Sequence, residues 1–148
     1  MTTHRYEASL KWAGRTNDYH AYGRDHHVAL GAQEFPVSAD AAFRGDPALP
    51  NPEQLIVAAA SSCQLLSFLA VAALGGVEVL SYDDHATGEM PSDVRPMRMT
   101  RIVLRPRIVA TGAAVDRVER LIRKAHEQCY IANSLSTEVL IRPVIEVV

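Results

Sequence analysis

Apolar and polar residues alternate one by one near both ends of the chain and recur every three or four positions in two stretches between. From Arg5 to Trp12, Tyr6, Ala8, Leu10 and Trp12 share one side while Arg5, Glu7, Ser9 and Lys11 share the other, which predicts a half-buried strand. Gly14 to Asp18 reads as a turn, and His20–Leu30 and Glu34–Ser38 as two further strands of an N-terminal meander. Val77–Met90 and Met97–Ala110 are expected to be strands. The second sets Ile102, Leu104 and Ile108 against Arg101, Arg105 and Arg107, and its Pro106 is easiest to place on an edge or at a bulge. The last strand, Glu138–Val148, alternates Val139, Ile141, Ile145 and Val147 against Glu138, Arg142 and Glu146.

Two segments carry helical spacing. Ala41–Leu49 is a loop by composition, and a helix then begins. Asn51 is a good N-cap, Pro52 suits the first helical position, and Gln54 completes a capping-box pattern. The apolar run Leu55–Leu74 ends at Gly75-Gly76, a glycine stop. Ala113–Cys129 repeats Val115, Val118, Ile122, Ala125 and Cys129 at three- and four-residue intervals, an amphipathic helix. The order is β-β-β-α-β-β-α-β without repeat or linker, which predicts one α+β domain over residues 1–148.

Composition narrows the function classes. The chain has 148 residues and a formal charge of −2 with no block of like charge, so it lacks the basic face that nucleic acid or an anionic membrane requires. Leu55–Leu74 is long enough to imitate a membrane span. Ser61, Ser62, Gln64 and Ser67 interrupt it, however, so a helix buried on all sides is the better reading. The first residues, Met1 to Tyr6, hold no apolar signal core, and a cytoplasmic protein is expected. There, thiols are kept reduced and a disulfide is more often transient than structural.

The chain has two cysteines, Cys63 and Cys129, each on the expected inner face of a helix. Free cysteine is usually a small buried hydrophobe. A pair that meets in the interior could instead act as a peroxidatic thiol, oxidised to a sulfenic acid, and a resolving thiol that condenses with it into a disulfide. Of the histidines, His26 and His27 are adjacent and on a strand point to opposite faces. His126, three positions before Cys129, makes a Cys63–Cys129–His126 zinc cluster conceivable, but no metal or cofactor is expected. No phosphate-cradling loop, dinucleotide fingerprint or nucleophile elbow occurs.

Asn51-Pro52-Glu53-Gln54-Leu55, the small-residue stretch to Ser62-Cys63, and Ala125-His126-Glu127-Gln128-Cys129 followed by Asn133 closely resemble the OsmC/Ohr family of osmotically inducible and organic hydroperoxide resistance proteins. The resemblance covers nearly the whole chain. It implies an intertwined homodimer with two central buried helices packed on antiparallel sheets and active sites at the subunit interface. It also implies a thiol-dependent peroxidase for organic hydroperoxides, with hydrogen peroxide as a further substrate. Cys63 would be peroxidatic and Cys129 resolving, and an external dithiol, of which a lipoylated protein is the family's precedent, would restore both thiols.

Glu53 matches the family's glutamate, paired with an arginine that stabilises the thiolate; read alone, it is a first-turn acid favouring the helix dipole. Glu53 and Cys63 lie ten positions apart, roughly 15 Å along a continuous helix and on different faces, so the glutamate serving Cys63 should come from the other subunit. Three arginines are candidates, in the order Arg44, Arg24, Arg15. Arg44 lies in Phe43-Arg44-Gly45, one place later than the arginine of OsmC-type proteins. Arg24 lies in Tyr22-Gly23-Arg24-Asp25-His26, and Arg15 follows Gly14 where Ohr-type proteins carry Gly-Gly-Arg. The arginine offset points to a divergent OsmC-like member. The rival reading keeps the fold and pocket as a binding protein for an apolar ligand with weak or no peroxidase activity.

Overall fold

A computed structural model describes all residues, Met1–Val148. The chain forms two compact units, Met1–Leu55 and Ile56–Val148. In the first, β1 (Ser9–Lys11), β2 (His26–Leu30) and β3 (Gln33–Val37) make an antiparallel sheet, with Leu10 opposite Val28 and Val28 opposite Phe35. β1 and β2 are much shorter than their alternating patterns. Residues 1–20 are exposed throughout, so nothing rewards a longer ladder. After β3 the chain folds back tightly. Asp40 caps a single 3-10 turn, Ala41–Phe43, and Arg44 takes a left-handed conformation with φ 67°. Gly45 then passes so close to the Ala39 backbone that a Cβ would lie 1.7 Å from its carbonyl oxygen.

The long helix α1 (Pro52–Leu74) starts and stops as its sequence predicts. The backbone N–H of Gln54 donates to Asn51 Oδ1 at 2.9 Å and that of Asn51 to Gln54 Oε1 at 3.0 Å, the reciprocal capping box. At the other end Gly76 is left-handed at φ 71°. The amides of Gly76 and Val77 close on the Ala73 and Ala72 carbonyls at 3.2 and 2.9 Å, a Schellman stop. The expectation of burial on every side fails. Ala60, Gln64, Phe68 and Ala72 are the buried positions, a single stripe at four-residue spacing, while Leu66 and Leu74 are 63% and 90% exposed. Only 22% of its most apolar stretch is buried.

The second unit joins this stripe to two three-stranded sheets and a second helix. Each of three predicted strands is two. Val77–Met90 divides into β4 (Glu78–Asp84) and β5 (Thr87–Glu89), Met97–Ala110 into β6 (Arg101–Leu104) and β7 (Pro106–Thr111), and Glu138–Val148 into β8 (Glu138–Ile141) and β9 (Val144–Val147). The breaks fall where a proline opens the next strand or just precedes it, at Pro106 and Pro143, and at His85-Ala86. The sheet orders are β4-β7-β9 and β5-β6-β8. β7 is therefore central, and Pro106 is accommodated as its first residue rather than on an edge.

The sheets are mixed rather than wholly antiparallel. β8 joins β6 and β9 joins β7 in parallel, since the connections run through a helix, α2 (Val115–Glu127). α2 buries Val118, Ile122 and Ala125 and exposes most of its charged side. Phe68, Ile102, Leu104, Ile108 and Ile122 are fully buried or nearly so at the centre of the core.

Candidate functional site

Cys63 lies in α1, half-buried, one residue before Gln64 of the buried stripe. Cys129 does not lie on the α2 stripe as its spacing predicts. α2 ends at Glu127, and Cys129 sits in extended conformation ahead of a one-turn helix, α3 (Tyr130–Ser134), 1% exposed. The apolar repeat continues past the helix because the chain stays against the core after the helical hydrogen bonds stop. The consequence matters for the thiols: Cys63 and Cys129 become neighbours, close enough for one to affect the ionisation of the other, and both are unoxidised. Burial pushes the Cys129 thiol above its ordinary range and the neighbouring Cys63 adds to this, while the backbone amides of Ala132 and Ile131 oppose it.

A polar frame that sequence reasoning left out holds the elements around this pair. Ser61 donates to Asp84 Oδ2 at 2.5 Å, and the other oxygen of Asp84 accepts the Arg105 backbone N–H at 2.6 Å, tying α1 to β4 and to the β6–β7 junction. Gln64, fully buried, donates to the Ile122 carbonyl at 3.4 Å, and its side-chain oxygen lies 3.2 Å from His126 Nδ1. His126 Nε2 lies 2.9 Å from the Val139 carbonyl oxygen, so α1, α2 and β8 are linked in one chain of contacts. Both ring nitrogens of His126 are engaged in this frame. Tyr82, on β4, places its ring 5.9 Å from that of Phe68, and its hydroxyl oxygen is buried without a partner. Burial first, then Asp84, then Cys129 hold its phenol well above the usual range. A polar residue amid an apolar helical run (Gln64) and an i, i+2 pair on a strand (Tyr82, Asp84) were the available signals.

The remaining predicted residues gather in the Met1–Leu55 unit. Glu53, in the first turn of α1, lines a cavity of about 220 Å³ with Arg24, His26, Ser38 and Phe43. Its Oε2 is buried and accepts no hydrogen bond, and none of the ion pairs includes it. Arg24 shares the cavity, but its guanidinium is held by the carbonyls of Tyr22 and Tyr19, the latter at 2.6 Å, and lies 3.5 Å from the centre of the Tyr22 ring. Arg44 does not line the cavity; it is exposed, 5.9 Å from the centre of the Tyr19 ring. Arg15 is exposed. Ser38 bridges the walls, donating to Asp25 at 2.8 Å and accepting the Asp46 amide at 3.0 Å.

A capped, glycine-stopped α1 carrying Cys63, and Cys129 brought to it from the end of α2, occur within a segment, residues 45–143, that matches the model of the OsmC-like protein family. The chain belongs to the OsmC-like family. Its fold is similar to that of an OsmC-like protein of unknown function from Vibrio cholerae, 31% identical, with a TM-score of 0.85 over 96% of this chain and 100% of that one. At lower identity the fold alone is shared. An organic hydroperoxide resistance protein OsmC from Legionella pneumophila is 20% identical with a TM-score of 0.68, covering 97% of this chain and 99% of that one. The organic hydroperoxide resistance protein OhrB of Bacillus subtilis is 19% identical with a TM-score of 0.62, covering 95% and 98%. No curated protein matches the chain. This OsmC-like protein thus has the α+β fold that its strand and helix patterns predict.

Proposed function

We propose that this OsmC-like protein is a cysteine-based peroxidase that reduces organic hydroperoxides. The observation that carries the reading is the meeting of its two thiols, which are remote in sequence and lie on separate elements. Cys63, the more accessible, is the peroxidatic residue. Its thiolate attacks one peroxide oxygen, the O–O bond breaks, and the alkoxide leaves as an alcohol after taking a proton, with Cys63 left as a sulfenic acid. Cys129 then attacks that sulfur, a disulfide forms, and the hydroxyl leaves as water. An external dithiol returns both thiols, which fits a cytosolic setting.

The reading extends to a homodimer. The bare apolar side of α1, with Leu66 and Leu74 exposed, needs a cover, and a second copy of the same helix supplies one of matching chemistry. α1 is unbroken from Pro52 to Leu74, so a Glu53 that serves Cys63 comes from that second copy. Arg24, which shares the cavity of Glu53, is the arginine we assign to it in place of Arg44. That Glu53 forms no ion pair with any arginine favours a second reading, a binding protein for an apolar ligand without efficient turnover.

The deciding experiment adds one equivalent of cumene hydroperoxide to reduced protein and follows the Cys63–Cys129 disulfide by mass. Stoichiometric, rapid closure is expected, with peroxide consumption lost in Cys63→Ser because a hydroxyl is a poor nucleophile at neutral pH. Slow oxidation together with tight binding of an apolar ligand, or full activity in Cys63→Ser, would sink the peroxidase reading.

A further inference from the structure

Cys129 lies outside any long helix, yet its backbone is held at both ends. Its N–H donates to the His126 carbonyl at 3.2 Å, and its own carbonyl accepts the Asn133 N–H at 3.0 Å. The Asn133 side-chain amide donates in turn to the Glu127 carbonyl at 3.0 Å. The thiol therefore rides on the last turn of α2, and the fastening of that turn decides where the thiol sits. Cys63 is fixed differently, in the middle of the unbroken α1.

The side chains that fasten the end of α2 to α1 are Gln64 and His126. Gln64 follows Cys63, about 100° further round the helix, and is fully buried in an apolar run. Burying an amide costs free energy unless it is hydrogen-bonded, and both partners of Gln64 lie in the second half of α2. Its nitrogen donates to the Ile122 carbonyl at 3.4 Å, which turns its oxygen toward His126 Nδ1 at 3.2 Å. The far side of the His126 ring is anchored by Nε2, 2.9 Å from the Val139 carbonyl oxygen on β8. Each thiol is thus one bonded step from this contact: Cys63 precedes Gln64 in the chain, and the Cys129 N–H is bonded to His126.

We propose that Gln64 and His126 are positioning residues whose side-chain contact keeps Cys129 beside Cys63, an inference that rests on the reading of the two thiols as a redox couple. The step it serves is closure of the disulfide. Cys129 sulfur attacks the Cys63 sulfenic sulfur, the S–S bond forms, the S–O bond breaks, and the hydroxide leaves as water with the proton of Cys129. Without the contact, the short segment that carries Cys129 gains freedom in the dithiol form and must lose it again when the bond closes. Attack of Cys63 on peroxide needs no such contact.

Two amide variants separate the two contacts of the ring. Asparagine puts an amide nitrogen where Nδ1 stands and glutamine where Nε2 stands. His126→Asn therefore keeps the contact with Gln64, and His126→Gln keeps only that with Val139. Equilibration with reduced and oxidised glutathione reads the effective concentration of one thiol toward the other. His126→Gln should lower it about tenfold, the effect of one hydrogen bond, and His126→Asn should stay within about threefold of the parent. Gln64→Met keeps the volume and removes both hydrogen bonds; it should match His126→Gln and carries the test if that variant does not fold. After one equivalent of cumene hydroperoxide, sulfenic acid should form on Cys63 at the parent's rate in both, while closure slows about a hundredfold. A contact that only stabilised the fold would stabilise the dithiol and disulfide forms alike and leave the glutathione constant unmoved. Equal constants in His126→Gln and His126→Asn, or a parent-like constant in Gln64→Met, would overturn the proposal. A parent that consumes no peroxide while the constants still divide in this order would sink the peroxidase reading and leave the positioning pair standing.

Discussion

Each of the two compact units leaves one buried polar atom unpaired, but the surroundings of the two differ. In Ile56–Val148, Ser61, Gln64, Asp84 and His126 are all spent on hydrogen bonds that join helices to strands, and the thiols meet inside that frame. In Met1–Leu55 the sheet is largely exposed, and the Glu53 carboxylate faces a cavity with one oxygen unpaired. A buried acceptor without a partner costs about 1–3 kcal/mol. The contrast sets a thiol pair within one chain beside a carboxylate whose second oxygen is unpaired.

The largest expected effect comes from blocking the second copy proposed above. Leu66 is 63% exposed on the bare side of α1, and burying a leucine is worth about 1.5–3 kcal/mol. In a two-fold dimer it would be buried twice. Sedimentation of the parent at micromolar concentration should show a dimer, and Leu66→Glu should weaken association by at least about a hundredfold. A parent that sediments as a folded monomer would leave the cavity around Glu53 without its second copy and break the comparison.

A smaller effect should sharpen it. If Arg24 and Glu53 act together to hold a guanidinium near a partner's thiolate, Arg24→Ala and Glu53→Ala should each slow Cys63 oxidation by about tenfold, the effect of roughly 1.4 kcal/mol. Arg44→Ala, which alters a residue outside the cavity, should stay within about twofold of the parent. Stopped-flow measurement with cumene hydroperoxide distinguishes them. The reverse order would return the role to Arg44. Parent-like rates in all three would favour the binding protein.

What the sequence made legible was local. The N-cap, the capping box and the glycine stop of α1 are decided within a few residues, and each closes as its pattern implies. The alternation of Ile102 and Leu104 against arginines marks a strand, but Val103 is buried too, because β6 lies between β5 and β8 in a covered sheet. Periodicity cannot tell where a strand breaks and re-forms, so Pro106 was legible as an irregularity but not as the first residue of a central strand. Cys129 could be paired with Cys63 only as an option, since their approach depends on how α2 ends and on α3. The frame of Gln64, His126, Asp84 and Tyr82 is built from contacts remote in sequence, on which residue spacing is silent.

The smallest expected effect is a pH dependence of stability at the thiol pair. The Cys129 thiol is held above its ordinary value of 9.0, with burial as the main cause. The unfolded chain loses this proton near the ordinary value and the folded chain loses it later. Between the two, the native state binds more protons, so the contribution is present in full below the ordinary value and declines as pH rises above it. Chemical denaturation of reduced protein should show the parent losing more stability than Cys129→Ser as pH rises from about 8 to about 10. Tyr82, whose phenol is also held high, should still contribute a decline in the serine variant at the upper end of that range. Equal slopes in parent and variant would mean that the Cys129 thiol ionises as freely in the fold as outside it, and that its burial does not shield it from water.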